Sequence, residues 1–428
     1  MCTINDDYHL LLHLGSFFIK PLAHSFVADP DMFYKMTEKQ SSYILSVNCG
    51  SSSLKFSLYQ TGSLQQEWSG SVNAIGSSES ELMISSGEQI IEHHKAGFKN
   101  LDAAVMAVIR WLKSSRYHAG LSAIGHRLVQ GGPKHRKPEK INKELLESLS
   151  QFVYLAPNHL PDEIKTIKSF QAAFPGLPQV ACFDTAFHQD MPDEAKYYPL
   201  PDIYKRQGLI HYGFHGLSYE YIMQQLAAND AAVIKQKIII AHLGNGASMA
   251  AVKNGVSVET TMGLTPIGGL VMGSRSGDLD PGVLLFLLKQ GQLTPKKLDD
   301  LLSKSSGLIA IAGISDVQQL LKKESKDPKA KMAITVFCYQ ARKFIGALAA
   351  AMGGLDSLVF TGGIGEHSAV IRERICHELD FLGIQIDKKL NRGSKEDISS
   401  ASSRVKVLVL KTNEEAMIAH HTQIAIKS

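Results

Sequence analysis

Residues 238–255 read Ile238-Ile-Ile-Ala-His-Leu-Gly-Asn-Gly-Ala-Ser-Met-Ala-Ala-Val-Lys-Asn-Gly255. The apolar runs 238–241 and 249–252 predict two buried strands that run in opposite directions. Between them lies the glycine-rich segment 244–248, and Asn254-Gly255 is typical of a tight hairpin turn. Small residues in such a turn let backbone N–H groups approach an anion closely. About 20 residues later, the small-residue loop 274–278 carries a single arginine, Arg275. The alternative for this stretch is that 244–248 and 274–278 are two ordinary loops that bind no anion.

The same pattern occurs once more, near the start of the chain. Residues 43–47 predict a strand, 48–53 a turn of small polar residues, and 54–59 the returning strand. We infer from this repeat that the protein has two related halves, which face each other across a cleft. A third glycine-rich turn, 362–365, is predicted after the strand 357–360. Neither GxGxxG nor GxxxxGK[ST] occurs at these turns, so a Rossmann dinucleotide fold and a P-loop are both disfavoured.

Length and composition narrow the class of protein. The chain has 428 residues, which predicts at least two domains. Its net charge of +4 is dispersed, and the short basic cluster 134–137 lacks the interleaved aromatics of a nucleic-acid surface. No apolar run reaches the ~20 residues that span a bilayer. We therefore expect neither a nucleic-acid partner nor a membrane.

The cysteines and the first residues bear on location. Five scattered cysteines without CxxC spacing indicate neither a zinc site nor a disulfide framework, so we expect a reducing cytoplasm. Residues 1–40 do not match the rest of the chain and lack the features of a secretory signal. We predict that they are an accessory extension, with Met36 as the real or an alternative start.

Strand, glycine-rich loop and helix recur along the chain, which predicts an α/β fold. Ligands collect at the carboxyl ends of strands in such folds. Polar residues predicted at strand ends or in glycine-rich loops are Asn48, Ser51, Ser53, Lys55, Arg127, Asp184, His215, Asn245, Arg275 and Glu414. This set suits phosphoryl transfer, which needs cations for the phosphate oxygens and oxygen ligands for Mg²⁺. The reaction depends on alignment of the reactants and needs no covalent intermediate with the protein. The alternatives are structural salt bridges for both arginines, a structural histidine at His215 and a helix cap at Asp184.

Eight ordered motifs make the chain recognisable. They are Asn48-Cys-Gly-Ser-Ser-Ser-Leu-Lys55, Gly125-His-Arg-Leu-Val-Gln-Gly-Gly132, Phe183-Asp-Thr-Ala-Phe-His188, Tyr212-Gly-Phe-His-Gly216, His242-Leu-Gly-Asn-Gly-Ala-Ser248, Gly273-Ser-Arg-Ser-Gly-Asp-Leu-Asp-Pro281, Phe360-Thr-Gly-Gly-Ile-Gly-Glu366 and Thr412-Asn-Glu-Glu415. Over residues 43–425 the chain resembles the acetokinase family, a branch of the sugar kinase, Hsp70 and actin superfamily.

The resemblance implies a duplicated actin-like (ribonuclease H-like) two-domain fold with an active-site cleft between the domains. After the extension 1–40, residues 41–187 would form an N-terminal domain, joined by the C-terminal helix at about 412–428. Residues 188–411 would form the C-terminal, nucleotide-binding domain. The resemblance also implies a homodimer.

The implied activity is reversible, Mg²⁺-dependent transfer from ATP to acetate, giving acetyl phosphate and ADP by direct in-line transfer; Mn²⁺ would serve as a substitute metal. Propionate or another short-chain acid is the alternative, because one methylene is worth only ~1–3 kcal/mol in an apolar pocket. An ATP hydrolase or polyphosphatase is disfavoured by the presence of both arginines. An Hsp70-like binding module is disfavoured because no segment remains for a peptide-binding domain.

The resemblance also implies residue roles. Arg127, Asp184, Arg275 and His215 would be catalytic, and Arg127, Asp184 and His159 would bind the substrate. Asn48 and Glu414 would hold the metal. Nucleotide contacts are implied for Ser51, Ser53, Lys55, His242, Leu243, Gly244, Asn245, Gly246, Asp316, Gly363, Ile364, Gly365, Glu366 and His367. Loss of Arg127 or Arg275 is expected to reduce turnover at least ~100-fold with little loss of folding.

Four positions depart from the family pattern. Gln130 stands where a His is common, and Asn158-His159-Leu160-Pro161 replaces Leu-His-Asn-Pro beside the acyl pocket. Gln318 stands where an Arg is expected after Asp316, and His367 replaces a common Asn. These positions bear on nucleotide and acyl specificity, and none removes the residues implied in phosphoryl transfer.

Overall fold

Two β-sheets organise residues 42–50 and 52–427, the part of the chain that the computed structural model describes. The predicted extension, the Met36 start and Ser51 lie outside the described residues. The strands of the first sheet are β1 (Tyr43–Cys49), β2 (Leu54–Gln60), β3 (Gln66–Asn73), β4 (Glu81–Ser86), β5 (Gln89–Lys95), β6 (Leu121–Leu128), β7 (Glu139–Lys140) and β8 (Gln179–Phe183). Their spatial order is β5-β4-β3-β2-β1-β6-β8-β7.

The second sheet has five strands. They are β9 (Lys237–Leu243), β10 (Ala247–Lys253), β11 (Val256–Thr260), β12 (Ser357–Thr361) and β13 (Lys406–Val409). Their spatial order is β11-β10-β9-β12-β13. Both apolar runs of 238–252 are thus strands, as predicted. Asn254 and Gly255 have φ angles of 53° and 76°, the left-handed pair that a tight hairpin turn requires.

The two sheets repeat one topology. In each, an antiparallel meander of three strands continues into two parallel strands: β3-β2-β1-β6-β8 in the first sheet and β11-β10-β9-β12-β13 in the second. The small-residue turns β1–β2 and β9–β10 occupy equivalent places in the two meanders. The predicted class, a duplicated actin-like α/β fold, is confirmed.

Helices connect and cover the sheets. They are α1 (Leu101–Ser114), α2 (Lys143–Gln151), α3 (Leu160–Ala173), α4 (Asp193–Lys196), α5 (Asp202–Arg206), α6 (Gly216–Asn229), α7 (Pro281–Lys289), α8 (Pro295–Lys304), α9 (Gly307–Ala312), α10 (Val317–Lys323), α11 (Pro328–Met352), α12 (Gly362–His367), α13 (Ala369–Cys376), α14 (Lys388–Arg392) and α15 (Glu414–Lys427). Within the described ranges, none is long and apolar enough to cross a membrane.

Capping residues explain where two of the helices begin. Asn100 accepts a hydrogen bond from the Ala103 N–H (3.0 Å) and caps the start of α1. Asn142 caps α2 in the same way, through the Leu145 N–H at 2.8 Å. α2 therefore begins at Lys143.

The structure shows that the prediction for the third glycine-rich segment is wrong. Residues 362–365 were predicted as a turn, but they form the first part of α12. Only Gly362 is left-handed (φ 75°), so the chain reverses at that single residue and then enters the helix. Glu366 favours this start because its Oε1 accepts the Gly362 N–H at 2.9 Å.

The C-terminal helix α15 packs across β1, β6 and β8 of the first sheet. Close approach is allowed by Gly125 in β6, where a Cβ atom would lie 2.1 Å from Thr422 Oγ1 and 2.6 Å from Ile418 Cγ2. Because Thr422 Oγ1 is already bonded to the Ile418 carbonyl at 2.7 Å, it cannot move aside without losing that bond.

We predict that Gly125→Ala lowers the free energy of unfolding by about 1–3 kcal/mol, because the methyl group overpacks this contact. The matched control is Gly346→Ala in α11, where a Cβ atom meets nothing within 4 Å. There, alanine should stabilise the helix by about 0.5–1 kcal/mol. Chemical denaturation measures both, and equal effects would contradict the packing described.

Candidate active site

A buried ion pair joins the ends of two parallel strands of the first sheet. Arg127, near the end of β6, donates from Nε to Asp184 Oδ1 at 2.9 Å and from Nη2 to Asp184 Oδ2 at 2.5 Å. Asp184 follows β8 directly and is fully buried. Burial alone would lower the pKa of Arg127, but Asp184 and Glu414 outweigh it and raise that pKa, so the guanidinium stays charged.

Asn48, at the end of β1, connects this pair to the start of α15. Its Oδ1 accepts from Arg127 Nη1 at 3.1 Å, and its Nδ2 donates to Glu414 Oε2 at 2.9 Å and Glu415 Oε1 at 3.0 Å. The amide therefore holds a cation on one side and two carboxylates on the other. Sequence reasoning named Asn48 and Glu414 but missed Glu415.

The donor set around Asn48 fits a magnesium ion. Mg²⁺ is usually held by one or two carboxylates together with substrate phosphates and water. Glu414 and Glu415 supply two carboxylates beside a cavity. Across residues 42–50 and 52–427, no cluster of three or more His, Cys, Asp or Glu side chains could hold a metal ion by itself. A metal here would thus depend on the nucleotide for its remaining ligands.

Arg275 lies on the loop between β11 and α7 and differs from Arg127 in its partners. Its Nη1 donates to the Pro266 carbonyl at 3.0 Å. Among the described residues it forms no ion pair with a carboxylate. Burial, and then repulsion from Arg127, lower the pKa of Arg275. Such an unpaired cation attracts an anion.

His215 lies close enough to both arginines for their charges to act on its ring. It precedes α6 with a left-handed φ of 59°, and its N–H points at Asp184 Oδ2 from 3.4 Å. Its ring stacks on His242, with 4.3 Å between centroids and 15° between planes. A Cβ atom on Gly246 would lie 3.4 Å from His215 Nε2 and 3.5 Å from Arg275 Nη1. Gly246 therefore keeps open the space that both side chains face.

Two cavities adjoin at Asn245. One, of about 470 Å³, brings Arg127 and His215, which were predicted to be catalytic, together with most predicted metal and nucleotide residues: Asn48, Ser53, Lys55, His242, Gly244, Asn245, Gly246, Gly363, Glu366 and Glu414. The other, of about 530 Å³, is lined by Asn158, His159, Asn245, Pro266 and Arg275, among others. Burial, with Arg275 and Arg127 nearby, lowers the pKa of His159 to about 4.

Other predicted nucleotide residues lie outside the first cavity's lining. Leu243 is fully buried in β9, Gly365 is buried in α12, and Ile364 packs against the core. Asp316 is exposed and caps α10 through the Gln319 N–H at 2.8 Å. The side chain of His367 is 72% exposed.

Sequence reasoning missed several buried polar groups. Glu163 in α3 is 2% exposed, and both of its carboxylate oxygens accept from the Val129 N–H at 3.2 Å. Arg372 is fully buried and donates from Nη1 to the carbonyls of Gly365 (2.8 Å) and Glu366 (2.9 Å), which steadies α12. In the sequence, these residues look like ordinary charges on helices, so no local signal marks them.

Comparison with known proteins identifies the family of the chain. The sequence profile of the Acetokinase family matches residues 43–420. The chain belongs to the acetokinase family. A relative named acetate kinase from Carboxydothermus hydrogenoformans is 42% identical over 390 residues, covering 89% of this chain and 98% of that protein. Another from Clostridium novyi is also 42% identical, covering 89% and 97%.

Solved structures of family members superpose well. A propionate kinase from Francisella tularensis has a TM-score of 0.84 at 38% identity, covering 90% of this chain and 99% of that one. The acetate kinase of Porphyromonas gingivalis has a TM-score of 0.80 at 37% identity, covering 90% and 100%. The family assignment made from the eight motifs is confirmed, and this acetokinase-family member is a kinase that uses ATP.

The two arginines should respond differently to removal. Sequence alone predicted little loss of folding for either, but Arg127→Ala strands the buried Asp184 carboxylate without its partner. We predict that Arg127→Ala lowers the free energy of unfolding by about 3–5 kcal/mol. Arg275→Ala loses the hydrogen bond to the Pro266 carbonyl and a weak contact from Nη1 to the Met272 sulfur at 3.8 Å, and should cost no more than about 1.5 kcal/mol.

Urea denaturation of both variants measures this difference. Adding Asp184→Asn to Arg127→Ala should recover part of the lost stability, because the stranded charge is then removed. Equal stability of the two single variants would contradict the assigned pairing.

Proposed function

We propose that this chain transfers the γ-phosphoryl group of ATP to acetate and catalyses the reverse reaction as well. An oxygen of the acetate carboxylate forms a bond with the γ-phosphorus, while the bond from that phosphorus to the β–γ bridging oxygen breaks. ADP leaves with the electron pair. The nucleophile is already an anion, so no general base is needed and no proton moves.

The observation that carries this proposal is the unpaired guanidinium of Arg275. A half-buried cation without a carboxylate partner within the described residues suits a ligand that brings its own negative charge. The cavity beside it, lined also by His159 and Pro266, offers room for the short chain of a carboxylic acid. An ATP hydrolase would have no use for such an acceptor site.

Arg127 takes a different role because Asp184 and Asn48 hold it in place. A guanidinium fixed before the reaction stabilises charge on the transferring phosphoryl group without reorganising. We assign Asp184 the task of orienting Arg127 and the backbone of His215. The stacked ring of His215 lines the same cavity as Arg127.

The first cavity is our candidate for the nucleotide phosphates. Gly244, Asn245 and Gly246 turn between β9 and β10 at its edge, and Lys55 projects from β2 toward the same space. Glu414, positioned by Asn48, would hold Mg²⁺, which neutralises phosphate charge when bound. The metal roles of Asn48 and Glu414, like the nucleotide contacts, remain predictions.

Acetate and propionate are the two candidate substrates, because structures bearing both names resemble this chain. The test measures ATP consumption with acetate, propionate, butyrate or no acid, and traps acyl phosphate as the hydroxamate. We predict no turnover without an acid and hydroxamate formation with acetate. Each added methylene should change kcat/KM by about 10- to 200-fold if the pocket wall is close. Acid-independent ATP hydrolysis would contradict the proposal.

We also infer that the protein forms a homodimer through α7. This helix carries the sequence Pro-Gly-Val-Leu-Leu-Phe-Leu-Leu-Lys, yet none of its side chains is buried. Phe286 is 62% exposed and Leu285 54% exposed. Exposed apolar patches of this kind mark protein interfaces. A second copy is the occupant we propose, because the patch directly follows the Arg275 loop and the family resemblance implies a homodimer.

We predict that Phe286→Glu converts a dimer into a monomer, because a charge would be buried in the interface. Sedimentation velocity measures the mass of each variant. Ile90→Glu is the matched control, since Ile90 is 58% exposed on the edge strand of the first sheet. A wild-type monomer, or a dimer that survives Phe286→Glu, would rule out this interface.

The compartment is inferred from the cysteines. Cys49, Cys182, Cys338 and Cys376 are buried and free. Unpaired thiols suit a reducing compartment, and we propose the cytoplasm.

A further inference from the structure

Behind His215 lies a short chain of buried hydroxyl groups. Ser248 Oγ, on β10, lies 2.8 Å from His215 Nδ1. The same oxygen is hydrogen-bonded to the hydroxyl of Tyr219, on α6. Ser248 and Tyr219 are both fully buried, so bulk solvent does not reach these bonds. None of the motif or composition arguments gave Tyr219 or Ser248 a role.

The direction of the hydrogen bonds follows from counting donors and acceptors. Burial raises the pKa of Tyr219, so its hydroxyl keeps its proton. Within residues 42–50 and 52–427, Ser248 is the hydrogen-bond partner of that hydroxyl. If Tyr219 did not donate to Ser248, a buried phenol proton would lack an acceptor, at a cost of about 1–3 kcal/mol. Tyr219 therefore donates and Ser248 accepts.

Ser248 must then direct its own proton to His215. Its hydroxyl has one hydrogen, and with Tyr219 donating to it, that hydrogen is free to point at Nδ1. A ring nitrogen that accepts a hydrogen bond carries no hydrogen of its own. In the neutral ring the hydrogen therefore sits on Nε2, the nitrogen that faces Arg275 across the space beside Gly246.

The surroundings of His215 keep its ring neutral. Burial, the stacked His242 ring and the charges of Arg127 and Arg275 hold the pKa of His215 well below its ordinary value. A third positive charge in this site would be costly. A neutral ring has a single N–H donor, so its tautomer decides whether His215 can donate into the cleft at all.

We propose that Tyr219 and Ser248 are positioning residues that fix His215 as the Nε2–H tautomer, so that a neutral ring donates a hydrogen bond into the cleft. This deepens the proposed function, on which it rests for the identity of the acceptor: an equatorial oxygen of the transferring phosphoryl group. The hydrogen stays on Nε2 throughout, and no bond to it is broken.

The test replaces Tyr219 by Phe, which keeps the ring and removes the hydroxyl. Ser248 is then free to accept a hydrogen bond from an Nδ1–H group, so the two tautomers of His215 mix. We expect kcat to fall about tenfold with KM for acetate and ATP unchanged, a part of the loss that follows removal of one transition-state donor. Tyr212→Phe is the matched control. It removes a buried hydroxyl that donates to the Gly208 carbonyl at 2.8 Å and takes no part in the hydrogen bonds of Tyr219, Ser248 and His215.

Nitrogen-15 NMR of protein labelled in its histidine rings reads the tautomer directly, and His215→Gln assigns the signal. Wild type should show a protonated Nε2 and an unprotonated Nδ1, and Tyr219→Phe a mixture. A protonated Nδ1 in the wild type would overturn the proposal, and so would a Tyr219→Phe variant with an unchanged tautomer and kcat within twofold. If that variant fails to fold, Ser248→Ala and the wild-type spectrum decide.

The spectrum separates this inference from the proposed function, because it is recorded without substrate. If the enzyme makes no acyl phosphate but His215 is the Nε2–H tautomer, the proposed reaction is contradicted. The proposed role of Tyr219 and Ser248 is then still supported. If the enzyme forms acyl phosphate but His215 is the Nδ1–H tautomer, the proposed reaction is supported and the proposed role of Tyr219 and Ser248 is contradicted.

Discussion

The rest of the site depends on the ion pair between Arg127 and Asp184. Taking both charges out of water is expensive, and good geometry with additional hydrogen bonds must offset that cost. Here, Arg127 donates two hydrogen bonds to Asp184, and its Nη1 donates a third to Asn48 Oδ1. The backbone N–H of His215 also points at Asp184 Oδ2. One buried contact thus sets the positions of strand ends β1, β6 and β8 and the start of α6.

Because Arg127 is occupied by the protein itself, the two arginines have different chemistry. Arg127 is a fixed charge of the scaffold, while Arg275 has no carboxylate partner in the described part of the chain and suits an incoming anion. His215 complements them as a neutral donor. Two cations already act on the same small space, and a directed hydrogen bond adds stabilisation there without a third positive charge. Duplication of the sheet supplies the facing turn at Gly246, whose missing side chain keeps that space open.

The sequence predicted strands β1, β2, β9, β10 and β12 well, because each is rich in apolar residues and borders a segment of glycine or small polar residues. The same logic placed Asn48, Arg127 and Asp184 together, since parallel strands end at one edge of a sheet. It failed where tertiary contacts decide. Segment 362–365 entered a helix after one left-handed glycine. The Tyr219–Ser248 contact joins a helix to a strand of the second sheet, and no local pattern encodes such a pair.

The most direct measurement is the kinetics of Arg275→Ala with acetate, with and without guanidinium ion added at concentrations that leave the protein folded. The account predicts a loss of at least ~100-fold in kcat/KM for acetate. Added guanidinium should restore part of that loss in Arg275→Ala by occupying the vacated site, and should not restore Arg127→Ala. Turnover within a few-fold of wild type in Arg275→Ala would contradict the account.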